Sequence, residues 1–350
     1  MSVISIPPLD GAAARAARER IDQLTKPIGS LGRIEELAER LAAIHGGLPP
    51  VYQRRAILVG AGDHGVTVEG ISAYPAEVTP QMVGAFLAEF AAINAFARVS
   101  RAEVFVADFG VATPLPKHDR LIDLNVGLGT RNLAREAAMT DAELDRALRA
   151  GMEAFAYIRE RVSPEIIALG EMGIGNSTSA AAMIAAFTEA AAETVVGRGT
   201  GIDDETLRRK TAIVDEAATR LRGADWRVIA REVGGYEIVG LAGALLAAAQ
   251  ARVPVILDGF IVSAAALLAS RIASESVGYC IAAHRSREQG HAVALRHLGL
   301  VPLFDLDLRL GEASGAALAF PLCEAAARMV REMKTFAEAG VATATEPLNA

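Results

Sequence analysis

The chain has 350 residues, of which 52% are hydrophobic and 22% charged, enough apolar surface for one large domain or for a large and a small one. Its formal net charge of −7 and sequence pI of about 5.5 give no sign of a nucleic-acid partner or an anionic membrane surface. Cys280 and Cys323 lie in apolar runs, which favours buried free thiols in a reducing cytoplasm. We expect neither a signal peptide nor a membrane-spanning helix, because charged or polar residues interrupt every long apolar run.

The first 50 residues predict helices rather than strands. Two helical stretches together span residues 11–46, and the segment 26–29, Lys-Pro-Ile-Gly, separates them. We expect residues 1–50 to form a small helical domain with part of residues 325–350. Residues 51–324 then form a large α/β domain that carries the active site.

A first strand, residues 55–60, leads into a glycine-rich turn. The letters GAGDHG at 60–65 formally match the dinucleotide pattern G-x-G-x-x-G. The residues that follow are β-branched and include Pro75, so they do not predict the helix that a dinucleotide site needs. We interpret Asp63 and His64 as part of a loop at the ligand edge of a sheet, where a structural and a substrate role both stay open.

Residues 74–82, YPAEVTPQM, predict the start of a helix of about fifteen residues. Thr79 is a suitable N-cap, and Pro80 suits the first helical position. Capping alone is the simplest interpretation. Gln81 and Met82, at the mouth of this helix, are candidates for contact with a flat aromatic ligand.

The stretch around which the chain is organised is IIALGEMGIGNSTSAAAMIAAF, residues 166–187. It predicts a buried strand, a turn with Gly173 and Gly175, and an apolar helix that Ser177 can cap. Such a turn favours an anion, because the first N–H groups of a helix have no partner within it. Asn176 stands where a P-loop has its lysine, which weakens an ATPase or GTPase interpretation. We predict a small phosphate held mainly by backbone, and a tight turn without a ligand is the alternative.

A second glycine-rich turn, GRGTG at 197–201, precedes a predicted helix with acidic residues in its first turn. Lys210 lies within that helix. It is the candidate for the cation that the central turn lacks, and the alternative is a solvated lysine on a charged face.

Three further segments predict strands: 253–258, which ends in Asp258, then 276–283 and the alternating 303–310. A turn at 311–315 leads from the last of them into an Ala-rich helix. Histidines follow the second strand, but their spacing differs from that of a zinc site, so we expect no metal. The alternation of strands and helices predicts a doubly wound, mainly parallel α/β sheet with ligands at the carboxyl ends of its strands.

Eight motifs along the chain resemble those of one enzyme family, the nicotinate-nucleotide–dimethylbenzimidazole phosphoribosyltransferases. In chain order they are GDHGV at 62–66, YPAEVTPQM at 74–82, EMGIGNSTSA at 171–180, GTGIDDETLRRK at 199–210, GGYEIVGLAGA at 234–244, LDGFIVSAAAL at 257–267, AHRSREQGH at 283–291 and RLGEASGAALAFPL at 309–322. The resemblance covers nearly the whole chain, and the set is specific although no single motif is.

The resemblance implies transfer of ribose 5-phosphate from nicotinate mononucleotide to 5,6-dimethylbenzimidazole. The products are α-ribazole 5′-phosphate and nicotinate, in assembly of the lower ligand of cobalamin. The resemblance also implies a homodimer with a Rossmann-like large domain and a small domain built from both chain ends. We expect a cytoplasmic enzyme with no cofactor, no nucleic-acid partner and no membrane partner.

The resemblance also implies roles for single residues. Glu312, in the motif RLGEASG, corresponds to the general base, and Ala313 stands where a glycine is common. Glu171 is the second candidate for that role, and Asp258 and Ser286 are further candidates for the site. The residues implied for binding phosphate and ribose are Gly173, Gly175, Asn176, Ser177 and Lys210. Those implied for the acceptor-base pocket are Thr79, Gln81, Met82 and Leu310.

The chemistry agrees with these residue types. Nicotinate departs from a pyridinium, so it needs no general acid, whereas the benzimidazole must lose its N–H proton as its other nitrogen attacks. One carboxylate therefore suffices, unlike the carboxylate pair of glycosidases. Attack opposite nicotinate inverts the anomeric carbon. Two alternatives stay open: a related phosphoribosyltransferase that uses another azole or purine, and a non-catalytic nucleotide-binding protein.

Overall fold

The computed structural model describes residues 4–199 and 201–342. Residues 343–350, which belong to the C-terminal part predicted for the small domain, lie outside the described residues. The chain divides into two compact units. The larger comprises Met1–Pro7 and Arg54–Ala319, and the smaller comprises Pro8–Gln53 and Phe320–Ala350.

The larger unit contains a six-stranded sheet in which every neighbouring pair of strands is parallel. The strands are β1 (Arg55–Gly62), β2 (Glu103–Gly110), β3 (Leu121–Asp123), β4 (Ile166–Met172), β5 (Val255–Leu257) and β6 (Cys280–Ala282). Their spatial order, β3-β2-β1-β4-β5-β6, changes direction between β1 and β4. This order confirms the doubly wound α/β fold, and it leaves a crevice at the carboxyl ends of β1 and β4, where such folds bind ligands.

Helices alternate with these strands, as predicted. Within the described residues the helices are α1 (Gly11–Gln23), α2 (Arg33–His45), α3 (Val78–Leu87), α4 (Ala92–Ser100), α5 (Asp141–Val162), α6 (Asn176–Thr188), α7 (Ala192–Val195), α8 (Asp204–Arg220), α9 (Trp226–Val233), α10 (Tyr236–Gln250), α11 (Phe260–Ile272), α12 (Gln289–Leu298), α13 (Ser314–Glu332) and α14 (Phe336–Ala339).

Small residues let the helices of the larger unit approach each other closely. A Cβ added at Gly151 on α5 would lie 1.7 Å from the carbonyl oxygen of Gly240 on α10. A Cβ added at Gly243 would lie 2.1 Å from the carbonyl oxygen of Leu148. Both distances are overlaps, so α5 and α10 touch through their backbones and no larger side chain fits there.

The smaller unit begins with the two helices predicted for residues 11–46, and the predicted break between them is confirmed. Asp10 caps α1, because its Oδ1 accepts hydrogen bonds from two amides of the first turn, both at 2.9 Å. Lys26, in the break, lies 2.8 Å from Glu35 of α2, and both side chains are buried.

The predicted start of the helix at Thr79 is wrong. Helix α3 begins at Val78 with Glu77 as its N-cap, and it ends at Leu87 after ten residues rather than about fifteen. The hydroxyl of Thr79 is instead engaged by another segment, since Thr79 Oγ1 accepts a hydrogen bond from Ile174 N at 3.1 Å. A tertiary contact therefore overrides the local capping preference.

Three other local predictions are corrected. Of the strand predicted for residues 276–283, Cys280–Ala282 is strand β6, whereas Ser274–Tyr279 forms a 3-10 helix. Helix α6 begins at Asn176 with Gly175 as its N-cap, so Ser177 lies inside the helix rather than before it. Residues 303–310 do not form a strand of the sheet, although Phe304 forms an isolated bridge with the loop after β6. Asp307 has φ +55°, which interrupts an extended backbone.

The segment Val78–Ser100 is long and apolar enough in composition to cross a membrane, a test that core helices of soluble proteins also pass. In this structure the segment is divided between α3 and α4, of ten and nine residues. A span needs about 20 residues of continuous helix. The composition of the segment is therefore weak evidence for a membrane.

Candidate active site

The turn between β4 and α6 requires glycine at two positions. A Cβ added at Gly173 would lie 2.3 Å from the carbonyl oxygen of Gly62, and one added at Gly175 would lie 2.8 Å from Thr67 Cγ2. Gly175 also has φ +95°, where other residues are strained. The turn directs the first N–H groups of α6 towards the carboxyl edge of the sheet, where they and the helix dipole favour an anion.

Lys210 is a buried cation beside this turn. Its side chain extends from α8, and its Nζ donates to Ser177 Oγ at 2.8 Å and to the carbonyl oxygen of Gly197 at 3.3 Å. Burial lowers the pKa of Lys210 to about 8, and the negative charge of Glu288 opposes this shift. Lys210 is therefore mostly protonated at neutral pH. The glycine-rich turn before α8 is described except for residue 200.

Glu312 lies in a turn with an uncommon backbone, because Gly311, Glu312 and Ala313 have φ of +89°, +63° and +64°. Glu312 N donates to the carbonyl oxygen of Glu171 at 3.2 Å, and Ser314 Oγ donates to that of Gly311 at 2.7 Å. Burial raises the pKa of Glu312 to about 7. Its Oε2 is buried without a hydrogen-bond partner in the described part of the chain. Backbone strain of this kind persists mainly at functional sites.

Glu171, near the end of β4, is a second buried carboxyl next to Glu312. Asn176 Nδ2 donates a hydrogen bond to Glu171 Oε2. Burial raises the pKa of Glu171 to about 8, against the effect of Asn176, and the carboxylates of Glu237, Asp258 and Glu312 add to the rise. Glu171 is therefore mostly protonated at neutral pH, where Glu312 is partly ionised.

Asp258 directly follows β5 and holds the start of α13. Its Oδ1 accepts a hydrogen bond from Ala316 N at 2.9 Å, and the side chain is buried. Burial raises the pKa of Asp258 to about 7, and the backbone N–H groups of Ala316, Gly315 and Ala313 oppose the rise. The carboxyl thus anchors the helix that begins just after Glu312.

Ser286 is held by its neighbours in the loop after β6. Its backbone N donates to His291 Nδ1 at 2.9 Å, and its Oγ accepts from Glu288 N at 3.3 Å. Burial lowers the pKa of His291 to about 3, so this imidazole is neutral. Over residues 4–199 and 201–342, no group of three or more His, Cys, Asp or Glu side chains is arranged to hold a metal ion.

One cavity connects these groups at the carboxyl edge of the sheet. Its wall includes Glu171, Ser177, Arg198, Lys210, Ser286 and Leu310. Gly311, the neighbour of Glu312, also lines it, as do Gly173, Gly175 and Asn176 of the central turn. The structure thus brings Gly173, Gly175, Asn176, Ser177 and Lys210 together, and the turn that carries Glu312 borders the same cavity.

Comparison with known proteins assigns the family. A family model described as phosphoribosyltransferase matches residues 6–341. A Chloroflexus aurantiacus protein named nicotinate-nucleotide–dimethylbenzimidazole phosphoribosyltransferase is 49% identical over 342 residues, which are 97% of each chain. A Thermus thermophilus protein of the same name is 50% identical over 334 residues, 95% of this chain and 99% of its own. The chain belongs to the nicotinate-nucleotide–dimethylbenzimidazole phosphoribosyltransferase family.

The fold supports the same assignment. A crystal structure of the phosphoribosyltransferase of that name from Thermus thermophilus is 48% identical to this chain, with a TM-score of 0.91. The match covers 96% of this chain and 100% of that one. The family resemblance stated from the eight motifs is thereby confirmed.

The four residues that the phosphoribosyltransferase resemblance implies for the acceptor pocket lie in different surroundings. Leu310 is 56% exposed and lines the cavity. Thr79 is fully buried, and its hydroxyl contacts Ile174 in the central turn rather than the cavity. Gln81 is exposed and Met82 is half-buried, both on α3.

Sequence reasoning left the role of His64 open and assigned none to Glu237. The structure places His64 Nε2 2.8 Å from Glu237 Oε1, with both side chains fully buried. The signal in the sequence was Glu237 itself, an acidic residue in the first turn of the apolar helix α10. A carboxylate buried in such a helix requires a hydrogen-bond partner. The partner is 173 residues away in sequence, beyond the range of any local pattern.

Proposed function

We propose that this protein transfers ribose 5-phosphate from nicotinate mononucleotide to 5,6-dimethylbenzimidazole. The products are α-ribazole 5′-phosphate and nicotinate, used in assembling the lower ligand of cobalamin. One observation carries the proposal: a single cavity adjoins both a buried lysine at a glycine turn and a turn whose carboxyl has a pKa of about 7. A phosphorylated donor and an acceptor that must lose a proton need these two groups.

The donor phosphate binds the turn Gly173–Ser177 in this proposal. The N–H groups at the start of α6 and the Asn176 and Ser177 side chains are its partners, and the Lys210 ammonium adds a charge. The hydrogen bond from Lys210 Nζ to Ser177 Oγ supports this role, because it holds the cation at the turn. Arg198, at the same wall, adds positive charge for a donor that also carries a carboxylate.

Glu312 acts as the general base in this proposal. One nitrogen of dimethylbenzimidazole attacks C1′ of the donor on the face opposite nicotinate, and the C1′–N bond of the pyridinium breaks. The bonding electrons go to the nicotinate nitrogen, so the leaving ring needs no proton. The proton on the other benzimidazole nitrogen goes to Glu312, whose pKa of about 7 suits a base at neutral pH.

The neighbouring carboxyls of Glu312 and Glu171 have different roles in this proposal. With a pKa of about 8, Glu171 stays mostly protonated while Glu312 accepts the proton, and so Glu171 is the secondary candidate. Asp258 holds the start of α13, just after Glu312, and Ser286 forms part of the cavity wall.

The flat acceptor packs against Leu310 in this proposal, with Gln81 and Met82 at the edge of its pocket. The exposed side chain of Leu310 supports this, because an apolar ring buries it. Thr79 acts on the pocket through the amide of Ile174.

We also propose that the protein acts as a homodimer in the cytoplasm. Phe90 and Val99 are 75% and 72% exposed, and a subunit contact that covered them would gain from removing their apolar surface from water. The chain has two cysteines in 350 residues, Cys280 and Cys323, and both are buried, a sparing use of cysteine that suits a reducing compartment.

The decisive assay is release of nicotinate from nicotinate mononucleotide with and without dimethylbenzimidazole. Release that requires the base, with formation of α-ribazole 5′-phosphate, supports the proposal. Release that is as fast with another azole or with a purine favours the related phosphoribosyltransferase. Tight binding of the mononucleotide without release contradicts an enzymatic role.

A further inference from the structure

A buried pair of side chains packs against the phosphate turn and takes no part in the reaction described above. His64 follows the end of β1, and Glu237 lies in the first turn of α10. His64 Nε2 is 2.8 Å from Glu237 Oε1, and neither side chain is exposed. The two residues come from the motifs GDHGV and GGYEIVGLAGA, to which the reaction assigns no role.

The pair leaves no spare room beside the two glycines of the turn. A Cβ added at Gly173 would lie 3.3 Å from Glu237 Oε1, and one added at Gly175 would lie 3.2 Å from His64 Cβ. A Cβ added at Gly235 would lie 2.4 Å from His64 Cε1, so the imidazole is enclosed from the α10 side as well. The pair therefore bounds the turn on one side, together with the closer Gly62 O and Thr67 Cγ2.

The residue between the two glycines is held separately. Ile174 N donates to Thr79 Oγ1 at 3.1 Å, in a buried position. The Thr79 hydroxyl also interacts with the carboxyl of Asp63. Burial raises the pKa of Asp63, and the hydrogen bonds from the Ala112 amide and from Thr79 oppose this rise. The three residues 173–175 thus each have a buried neighbour that limits their movement.

We propose that the His64–Glu237 pair is a positioning device for the phosphate turn, which sets the affinity for the 5′-phosphate of the donor. The pair does this without touching the donor. In the turn, the pair lies beside Gly173 and Gly175, so its removal acts on the phosphate site. The Glu237 carboxylate also adds to the raised pKa of Glu171, an effect on the reaction rather than on phosphate binding. The inference rests on the proposed function and extends it to two residues outside the cavity wall.

The physical reason is the short range of hydrogen bonds to phosphate. Backbone N–H groups bind an anion well only at about 2.7–2.9 Å, and loss of one hydrogen bond to a charged group weakens binding by roughly 10- to 100-fold. A buried, hydrogen-bonded pair is rigid, and removal of one partner leaves the other unsatisfied and free to shift. The glycines next to it have no side chains with which to resist that shift.

The test compares two donors by isothermal titration calorimetry without acceptor base. One is nicotinate mononucleotide, and the other is nicotinate riboside, which lacks the 5′-phosphate. The ratio of their dissociation constants measures the contribution of the phosphate. The variants are His64→Ala, which removes the pair, and His64→Gln, whose amide N–H replaces the imidazole Nε2 as a partner of Glu237.

Asp108→Asn is the matched control. Asp108 is a buried carboxylate at the end of the neighbouring strand β2, and it accepts hydrogen bonds from Gly110 N and Val111 N at 2.9 and 2.8 Å. It has similar burial, and none of its atoms is among the nearest neighbours of a Cβ added at Gly173 or Gly175. The control separates loss of stability from loss of phosphate binding.

We expect the preference for the mononucleotide to fall by roughly 10- to 100-fold in His64→Ala, the loss expected for one hydrogen bond to a charged group. It should recover largely in His64→Gln and stay unchanged in Asp108→Asn. Equal weakening of both donors, or an unchanged ratio in a folded His64→Ala protein, overturns the inference. If His64→Ala does not fold, Glu237→Met decides by the same ratio, because its side chain is of similar size but cannot accept the hydrogen bond of His64. An unchanged ratio there also overturns the inference. Failure of the proposed function itself gives a different result: the unaltered protein then releases no nicotinate when dimethylbenzimidazole is added.

Discussion

The replacement Glu312→Gln tests the centre of the proposed mechanism. Glutamine keeps the size of the side chain but cannot accept the proton of the benzimidazole. Because burial raises the pKa of Glu312 to about 7, about half of the molecules carry the ionised base at pH 7 and about a tenth at pH 6. Turnover of the unaltered protein should therefore fall with decreasing pH, with a midpoint near that pKa.

Loss of a general base costs roughly 10²–10⁴-fold in turnover. We expect Glu312→Gln to lose activity in this range and to lose the acidic limb of its pH profile as well. The KM for the nucleotide should change little, because the phosphate partners at Ser177 and Lys210 remain in place. Nicotinate release at saturating substrates, measured across the acidic and neutral range, provides both quantities.

Glu171→Gln is the matched control, since Glu171 is a buried carboxyl of similar environment that is mostly protonated at neutral pH. Its effect on turnover should be clearly smaller. Near wild-type turnover by Glu312→Gln would refute the reasoning. If Glu171→Gln were then the inactive protein, Glu171 would be the base.

Three further predictions concern the same region. Lys210→Ala should raise the KM for the nucleotide much more than that for the base, because the ammonium binds the phosphate in ground and transition states alike; an unchanged nucleotide KM contradicts this. Gly170→Ala should lower the free energy of unfolding by about 3 kcal/mol, because the new Cβ would lie 2.0 Å from Ala313 N. Ala313→Gly should change the free energy of unfolding by less than about 1 kcal/mol, because relief of the left-handed backbone offsets the lost methyl group and the added chain entropy. Urea unfolding measures both variants, and equal effects of Gly170→Ala and Ala313→Gly would refute the contrast. Glu171 has a folded-state pKa of about 8, above its ordinary value of 4.5, so its contribution to stability is full below about pH 4.5 and is lost as pH rises through about 8. The melting temperature of Glu171→Gln should therefore decline less between about pH 4.5 and pH 8 than that of the unaltered protein. An identical decline in both proteins would contradict this contribution of Glu171.

Local sequence determined those parts of the protein that depend on neighbours in the chain. The segment 166–187 is predicted correctly as strand, glycine turn and apolar helix, because burial, glycine and helix formers are all close together there. Lys210 is correctly placed within a helix for the same reason. The eight motifs also determined the family, since their order along the chain is itself sequence information.

Local patterns failed where a distant segment competes for the same group. Thr79 has the side chain of an N-cap, but its hydroxyl accepts from Ile174, 95 residues away, and the helix begins at Val78 instead. Residues 303–310 alternate like a strand, but alternation does not supply a neighbouring strand, and Asp307 turns the backbone.

Only the tertiary structure decided the chemistry of the site. It sets Lys210 against Ser177 at 2.8 Å and His64 against Glu237 at 2.8 Å, pairs that are 33 and 173 residues apart. It also raises the pKa values of Glu171 and Glu312 well above that of a free glutamate, by burying both side chains. The sequence shows which ionisable groups are present. The pKa of each group depends on how far the fold removes it from water and on which charges the fold places near it. Those neighbours come from separate strands, helices and loops, so no local stretch of the chain contains the information.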